Sequence, residues 1–298
     1  MKNQYVGDIG DYGKYSLLRA FTDAGVKVGV NWYLTENDGS TDGKFTEYLK
    51  KDDRFSEYDS IVFKALKSIA FNNTKSVIDI QKSGILSGAV FYSEVLSPKG
   101  TPFERRDERQ RWFEKSETVL KDAELIFMDP DNGLLEKNDT SILSAEKYVL
   151  PDEVRKYFMD GHNVVYYCHK GRRTLNQWFD YKSIMFEMIP DAKPTILTYH
   201  KGSQRSYIFL IQNRDYARYR KILDRFKITW EKVINEEYTN EGDISLKTDG
   251  ESITLDRSDG SSVTVSKRAD GNLEIRTSSN PGTSVVITGD RLCQLLYL

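Results

Sequence analysis

The stretch ELIFMDPDNG, residues 124–133, decides the fold of this chain. Its apolar run LIFM is short and continuous, which is typical of a strand buried on both faces of a sheet. The run ends at Asp129 and Pro130, followed by Asp131 and Asn132. Open parallel sheets bind ligands at the carboxyl ends of their strands, so this pattern indicates a strand that delivers carboxylates to a cleft. The same residue types also favour an ordinary type I turn.

Further apolar runs lie on both sides of this strand along the chain. Residues 26–35, 89–96 and 163–168 predict strands, whereas residues 103–121 and 174–188 predict helices. Continuous apolar strands that alternate with helices are typical of a parallel sheet with helices on its faces. The sequence therefore predicts the α/β class.

Two apolar segments, residues 195–200 and 206–212, flank the polar loop KGSQR and predict an antiparallel hairpin. An antiparallel strand after a parallel series is the layout of a Rossmann-like, methyltransferase-type sheet. We therefore expect a mostly parallel sheet with a terminal antiparallel strand.

The composition and the hydrophobic pattern of the sequence change near residue 240. The following stretch has short alternating segments separated by Asp-Gly and Pro-Gly turns, the pattern of β-hairpins. The predicted organisation is an α/β catalytic domain over residues 1–240, with a helical insertion at about 44–86, and a small antiparallel β-meander module over residues 241–298. A module of about 55 residues rarely folds alone, so we expect it to pack on the main domain or to join two copies as a homo-oligomer.

Composition excludes several classes of protein. The formal net charge of the 298 residues is −2, which argues against a protein that coats polyanions, although a local basic face remains compatible with it. Cys168 and Cys293 are too few for a disulfide framework or a structural zinc site. No apolar run is long enough to cross a membrane, and the N-terminal segment lacks the apolar stretch of a signal peptide. We expect a cytoplasmic protein without membrane association.

Two glycine-rich segments are candidates for ligand binding. The first, residues 7–15, places Gly10, Asp11 and Lys14 close together, and its alternative is a turn that caps the following helix. The second, residues 36–39, follows the first predicted strand, with Asp42 and Gly43 close behind, where a parallel sheet would hold a nucleotide-like cofactor. Its alternative is an Asx-rich turn.

Basic segments indicate contact with phosphate. His169, Lys170, Arg172 and Arg173 follow a predicted strand and offer an imidazole and three cations, although a solvated turn explains them as well. Two arginine-rich helices suggest a nucleic-acid track, and ion-paired solvated faces are the alternative. The basic residues of this track are Arg105, Arg106, Arg109, Arg111, Arg214, Arg218, Lys221 and Arg225.

Asp129 and Asp131 also permit a different chemistry. Two carboxylates separated by one residue hold divalent cations through oxygen ligands. With Asp11 or Asp38 they would bind Mg²⁺ or Mn²⁺, and His169 and Lys170 would steady a phosphate group. On this hypothesis the protein is a metal-dependent phosphodiesterase or nuclease.

The order of these parts resembles the bacterial 23S rRNA adenine-N6 methyltransferase family and its Rossmann-like relatives. The likeness spans roughly residues 5–212 and is carried by Lys14, the loop with Asp38, the strand with Glu94, and Asp129-Pro130. The resemblance implies that Lys14 lies in a segment closing over S-adenosylmethionine, that the loop with Asp38 contacts this cofactor, and that Glu94 binds its ribose. It also implies that Asp129-Pro130 begins the motif DPPY, which grips the target amine.

This sequence departs from the family where the target base would bind. Asp131 and Asn132 replace the second proline and the tyrosine of DPPY, so the stacking ring is absent unless Phe127 or Tyr166 takes its place. The glycine pattern of the cofactor loop is poor, and a strand is missing between Glu94 and Asp129.

The resulting expectation is an S-adenosylmethionine-dependent methyltransferase-like enzyme acting on a nucleic acid or nucleotide. The alternatives are the metal-dependent hydrolase and a non-catalytic methyltransferase-like binding domain. The expected site comprises catalytic Asp129, Pro130, Asp131 and Asn132, cofactor-binding Gly10, Asp11, Lys14, Glu36, Asp38 and Glu94, and substrate-binding His169, Lys170, Arg172 and Arg173.

Overall fold

The computed structural model describes most of the chain, and two units separate within it, Met1–Glu237 and Tyr238–Leu298. The described residues are 1–39, 45–50, 55–72, 74–142, 144–201, 204–237, 244–248, 252–257, 262–269, 272–278 and 284–287. The predicted residues Asp42 and Gly43 lie outside them.

The helices described in the first unit are α1 (Ile9–Asp23), α2 (Ser60–Ala70), α3 (Val77–Lys82), α4 (Pro102–Leu120), α5 (Pro151–Met159), α6 (Leu175–Met188) and α7 (Tyr216–Trp230). Its strands are β1 (Val28–Asn31), β2 (Val90–Tyr92), β3 (Leu125–Met128), β4 (Gly133–Leu134), β5 (Tyr148–Val149), β6 (Asn163–His169), β7 (Lys193–Tyr199), β8 (Arg205–Ile211) and β9 (Ile234–Glu237).

Seven of these described strands form one sheet, in the order β2-β1-β3-β6-β8-β7-β9. The strands β2, β1, β3 and β6 are mutually parallel, whereas β8 is antiparallel to both of its neighbours. This arrangement confirms the predicted α/β class and the terminal antiparallel hairpin. Strand β9, with the sequence INEE, was not predicted, because a polar edge strand lacks an apolar pattern.

The core lies on both faces of the sheet, as expected for parallel strands. All four residues of β3 are buried, and they alternate between two apolar clusters. Phe127 and its neighbour Val165 belong to one cluster, whereas Met128 and its neighbour Tyr166 belong to the other. The pairing of Asn31 with Met128 aligns the carboxyl ends of β1 and β3. Met128 pairs with Tyr166, and β6 continues beyond this pair to His169.

Local signals explain where several helices begin. The carboxylate of Asp8 accepts a hydrogen bond from the backbone N–H of Gly10 and caps α1. Thr101 and Glu104 form a capping box at α4, where Pro102 takes the first position. Pro151 takes the first position of α5. Helices α2 and α3 lie within the predicted helical insertion.

The second unit is an antiparallel meander in its described residues, which confirms the predicted β module. Each strand pairs with the next along the chain. The strands are β10 (Ile244–Thr248), β11 (Ser252–Arg257), β12 (Ser262–Lys267), β13 (Leu273–Thr277) and β14 (Ser284–Ile287). Its role in forming a homo-oligomer stays a prediction. Across the described residues, no helix has both the length and the apolar character that crossing a membrane requires.

Candidate functional site

The strand order of the main sheet reverses between β1 and β3, and open α/β sheets bind ligands at such a switch point. A cavity of about 480 Å³ opens at this edge of the sheet. Its wall includes the loop Asp129–Asn132 after β3, His169 at the end of β6, Lys14 of α1 and Arg205 at the start of β8. The structure therefore brings the predicted catalytic residues together with part of the predicted cofactor and substrate sets.

A buried ammonium group joins α1 to the end of β3. Nζ of Lys14 lies 2.7 Å from Oδ2 of Asp129 and 2.8 Å from Oδ1 of Asp11. Burial alone would lower the pKa of Lys14, but the two carboxylates hold it well above its ordinary value. Burial raises the pKa of Asp11 despite the nearby ammonium. One cation thus serves two carboxylates within the protein interior.

Asp131 takes part in a second, separate group of charges. Its Oδ1 lies 2.8 Å from the amino group of Met1, and its Oδ2 lies 3.5 Å from Nζ of Lys2 and accepts a hydrogen bond from Oγ1 of Thr35 at 3.1 Å. Burial would raise the pKa of Asp131, but these cations and this hydrogen bond hold it below its ordinary value. Asp131 is therefore an ionised carboxylate at neutral pH.

Arg205, the first residue of β8, also lies in the cavity wall. Its guanidinium donates to Oδ1 of Asp8 at 3.2 Å, so it contacts the residue that caps α1. A Cβ atom at Gly10 would lie 1.9 Å from a guanidinium nitrogen of Arg205. A side chain at this position would therefore displace the guanidinium of Arg205, and Gly10 also lines the cavity. Burial, partly offset by Arg205, raises the pKa of the neighbouring Tyr167 to about 12.

His169 is the part of the predicted substrate cluster that lines the cavity. Its Nδ1 is buried and has no hydrogen-bond partner among the described residues. Burial lowers the pKa of His169, and the charges of Arg173 and Arg205 lower it further, while Asp131 opposes them. The imidazole is therefore neutral at pH 7.

The other members of that cluster lie outside the cavity wall. Arg172 is exposed, and the backbone N–H of Lys170 donates to the carbonyl of Gln204. The guanidinium of Arg173 stacks 3.8 Å from the ring centre of Tyr181 and lies 3.5 Å from a carboxylate oxygen of Glu136. These contacts within the protein explain the position of Arg173 without a bound ligand.

The predicted acids after β1 and β2 are divided between the cavity and the surface. Asp38 lines the cavity, where Oδ2 accepts from Nζ of Lys2 at 2.5 Å. Glu36 is exposed and accepts a hydrogen bond from Oγ of Ser97 at 3.4 Å. Glu94 is exposed and pairs with Nζ of Lys115 on α4 at 2.7 Å. Neither Glu36 nor Glu94 is among the described residues that line the cavity.

The aromatic side chains of the cavity differ from those expected. Phe127 and Tyr166 are fully buried in the core, so neither replaces the missing stacking ring. Four other rings line the cavity, those of Tyr5, Phe45, Tyr167 and Tyr207. Sequence reasoning missed these rings, as well as Lys2 and Arg205, whereas Asp8 belongs to the glycine-rich segment of residues 7–15 that it singled out. The sequence placed Arg205 in the polar loop before the apolar segment 206–212, whereas the structure makes it the first residue of β8.

The proposed nucleic-acid track is wrong at Arg109. Its guanidinium is buried and forms two hydrogen bonds with the carboxylate of Glu153, at 2.7 and 2.9 Å. Arg218 of α7 is partly exposed and pairs with Glu124 at 2.7 Å. The two basic clusters are therefore at least in part the ion-paired faces that the sequence left open.

The described residues contain no group of three or more His, Cys, Asp or Glu side chains arranged to hold a metal ion. The carboxylates of Asp129 and Asp131 are instead directed to different ammonium groups, Lys14 for the first and the amino end of the chain with Lys2 for the second. A bound cation would have to displace these pairs.

Gly133 closes the loop after β3, and its replacement by alanine is expected to lower the free energy of unfolding by about 1–3 kcal/mol. Its φ of +104° is strained for any side chain, and a Cβ atom would lie 2.6 Å from the hydroxyl oxygen of Tyr181 and 3.1 Å from Cα of Cys168. Urea denaturation measures the change. Gly39→Ala is the control, because Gly39 has a φ of +69° with open space around it. Equal losses in both variants would contradict the steric argument.

Comparison with known proteins gives a match among solved structures. No family model matches the chain, and no curated protein matches it. The crystal structure of protein LPL1258 from Legionella pneumophila, described under the family model DUF519, is similar to this chain with a TM-score of 0.45 and 12% sequence identity. The match covers 80% of this chain and 98% of the other. The resemblance to rRNA methyltransferases stays a prediction.

Proposed function

We propose that this protein is an S-adenosylmethionine-dependent methyltransferase-like enzyme that acts on an amine of a nucleic acid or nucleotide. The observation that carries the proposal is the position of Asp129-Pro130. They follow the strand beside the switch point, in a cavity wall, within a sheet whose terminal hairpin has the methyltransferase-type layout. This position supports the proposal, because the motif that grips the target amine follows the corresponding strand in the family that the chain resembles.

The charges of the cavity fit a zwitterionic ligand. S-adenosylmethionine carries a carboxylate, an ammonium and a sulfonium group, together with a ribose and an adenine. The described wall offers five aspartates and four lysine or arginine side chains, and they are interleaved rather than segregated. A cavity built for a polyphosphate would carry an excess of cations instead. Asp38 with Lys2 and Asp11 with Lys14 are the pairs that would hold the amino-acid part of the cofactor.

The cofactor supplies an electrophilic methyl group when it is bound. Asp129 orients the accepting amine through a hydrogen bond to its carboxylate, and Lys14 fixes that carboxylate by the contact at 2.7 Å. Because methyl transfer between bound groups depends mainly on positioning, this fixed carboxylate is the chain's main contribution. Glu94 takes no part, since it pairs with Lys115 on the surface.

The first test is calorimetric titration of the full chain with S-adenosylmethionine. We expect micromolar binding, and at least tenfold weaker binding to Asp38→Ala, because that carboxylate lines the cavity. Glu94→Ala is the matched control: it removes an acid that follows the neighbouring strand but lies outside the cavity wall, and its affinity should stay within twofold of the unmodified protein. Absence of binding to the unmodified chain would refute the proposal. Loss of binding in Glu94→Ala would restore the ribose role that the resemblance implied.

The same titration with Mg²⁺ or Mn²⁺ alone addresses the hydrolase alternative. We expect no heat, because Asp129 and Asp131 are already neutralised by separate ammonium groups. Metal binding that disappears in Asp131→Asn would favour the phosphodiesterase or nuclease. Binding of S-adenosylmethionine without methyl transfer to any nucleic acid or nucleotide would favour the binding domain.

A further inference from the structure

An aromatic side chain at the cavity does not pack into the described hydrophobic core. Phe45 lines the cavity, yet 66% of its surface is exposed to solvent. Single exposed apolar side chains are common on proteins and need no explanation by themselves. Phe45 differs from such side chains because hydrogen bonds hold its backbone in place.

Both polar backbone groups of Phe45 are bound to the start of α1. Its N–H donates to Oδ2 of Asp8 at 3.2 Å, and its carbonyl accepts from the N–H of Ile9 at 3.1 Å. Asp8 is itself fixed, since it caps α1 through Gly10 and contacts Arg205. The fold therefore holds an uncovered ring in a defined position beside a polar cavity.

Position and chemistry indicate what this ring faces. The motif after β3 has Asn132 where the related enzymes carry the ring that stacks on a target base. Phe45 lines the same cavity as Asn132, and Asp8 and Arg205 connect its backbone to β8, in the half of the sheet away from β2. Base stacking on an aromatic ring tolerates any base, because every base has a π-face.

We propose that Phe45 is the stacking platform for the nucleobase of the substrate, replacing the ring that the motif lacks. The proposal rests on the proposed function for the identity of the ligand. A purine face covers the exposed ring, while the carboxylates deeper in the cavity accept hydrogen bonds from its exocyclic amine. The ring belongs to the substrate side, and we expect it to contribute nothing to the binding of S-adenosylmethionine.

An introduced indole reports on this contact directly. The four tryptophans of the chain, Trp32, Trp112, Trp178 and Trp230, are all at most 3% exposed. The indole of Phe45→Trp would therefore be the accessible one, and adenosine added to the full chain should quench its fluorescence. Phe71→Trp is the control: Phe71 is 51% exposed but is not among the described residues lining the cavity, so adenosine should leave its signal unchanged.

Calorimetry separates substrate from cofactor. Phe45→Ala is expected to bind adenosine about tenfold more weakly than the unmodified chain, with its affinity for S-adenosylmethionine unchanged and with Phe71→Ala unaffected for both ligands. Weaker binding of S-adenosylmethionine in Phe45→Ala would assign the ring to the cofactor and overturn the proposal. Unquenched fluorescence, or unchanged adenosine affinity, would overturn it too. Either result leaves the proposed function standing as long as the unmodified chain binds S-adenosylmethionine.

Discussion

Replacement of Arg109 by alanine should lower the free energy of unfolding by about 3–5 kcal/mol, because it leaves a buried carboxylate without its cation. The guanidinium of Arg109 bonds both oxygens of Glu153, and also donates to the backbone carbonyls of Ala145 at 2.8 Å and Tyr148 at 2.7 Å. One side chain thus joins α4 to the segment before α5 and to α5 itself. All of these partners would lose their donor together.

Urea denaturation of the full chain at pH 7 measures this loss. Arg111→Ala is the matched control, because Arg111 lies on the same helix and pairs with Asp107, but both side chains are more than half exposed. Surface pairs contribute about 0–1 kcal/mol, so Arg111→Ala should change stability little. A loss below about 1 kcal/mol in Arg109→Ala would show that Glu153 finds water or another cation, contrary to the argument.

The pair of Arg109 and Glu153 also shows which feature of α4 could not be predicted from the sequence. The helix was predictable, since Thr101, Pro102 and Glu104 form a strong start signal. Its burial pattern was not, because the helix is highly charged and an arginine that faces inward resembles one that faces solvent. The partner of Arg109 lies 44 residues along the chain and is identified only by the fold.

The candidate site also combines residues whose position could be predicted from the sequence with residues whose position could not. The position of Asp129 was predictable, because an apolar run fixes a buried strand and the strand fixes where its polar residues emerge. Glu94 lies outside the described cavity wall, because β2 ends two residues before it, at Tyr92. Arg205 was missed because its partner Asp8 is 197 residues away. The local hydrophobic pattern locates the ends of strands, but which side chains pair across the cavity depends on the tertiary structure.

Lys14→Met is the second change for which we expect a large effect, a loss of about 3–5 kcal/mol at pH 7.5. The substitution keeps the length of the side chain but removes the cation that Asp11 and Asp129 share, with all three side chains at most 6% exposed. Two carboxylates would then remain buried without compensation. Lys115→Met is the control, since Lys115 and its partner Glu94 are both about half exposed, and removal of this pair should cost little.

The pH dependence of this variant distinguishes lost charge compensation from lost packing. Burial already raises the pKa of Asp11 in the folded protein, and the cation that opposes this rise is absent from Lys14→Met. The folded variant therefore binds more protons than its unfolded chain above the ordinary carboxyl range, so its stability falls as pH rises. We expect the deficit relative to the unmodified protein to shrink when urea denaturation is repeated at pH 5, where protonation relieves the buried carboxyl group of Asp11. A deficit that stays constant between pH 5 and pH 7.5 would mean that Lys14 stabilises the fold by packing alone.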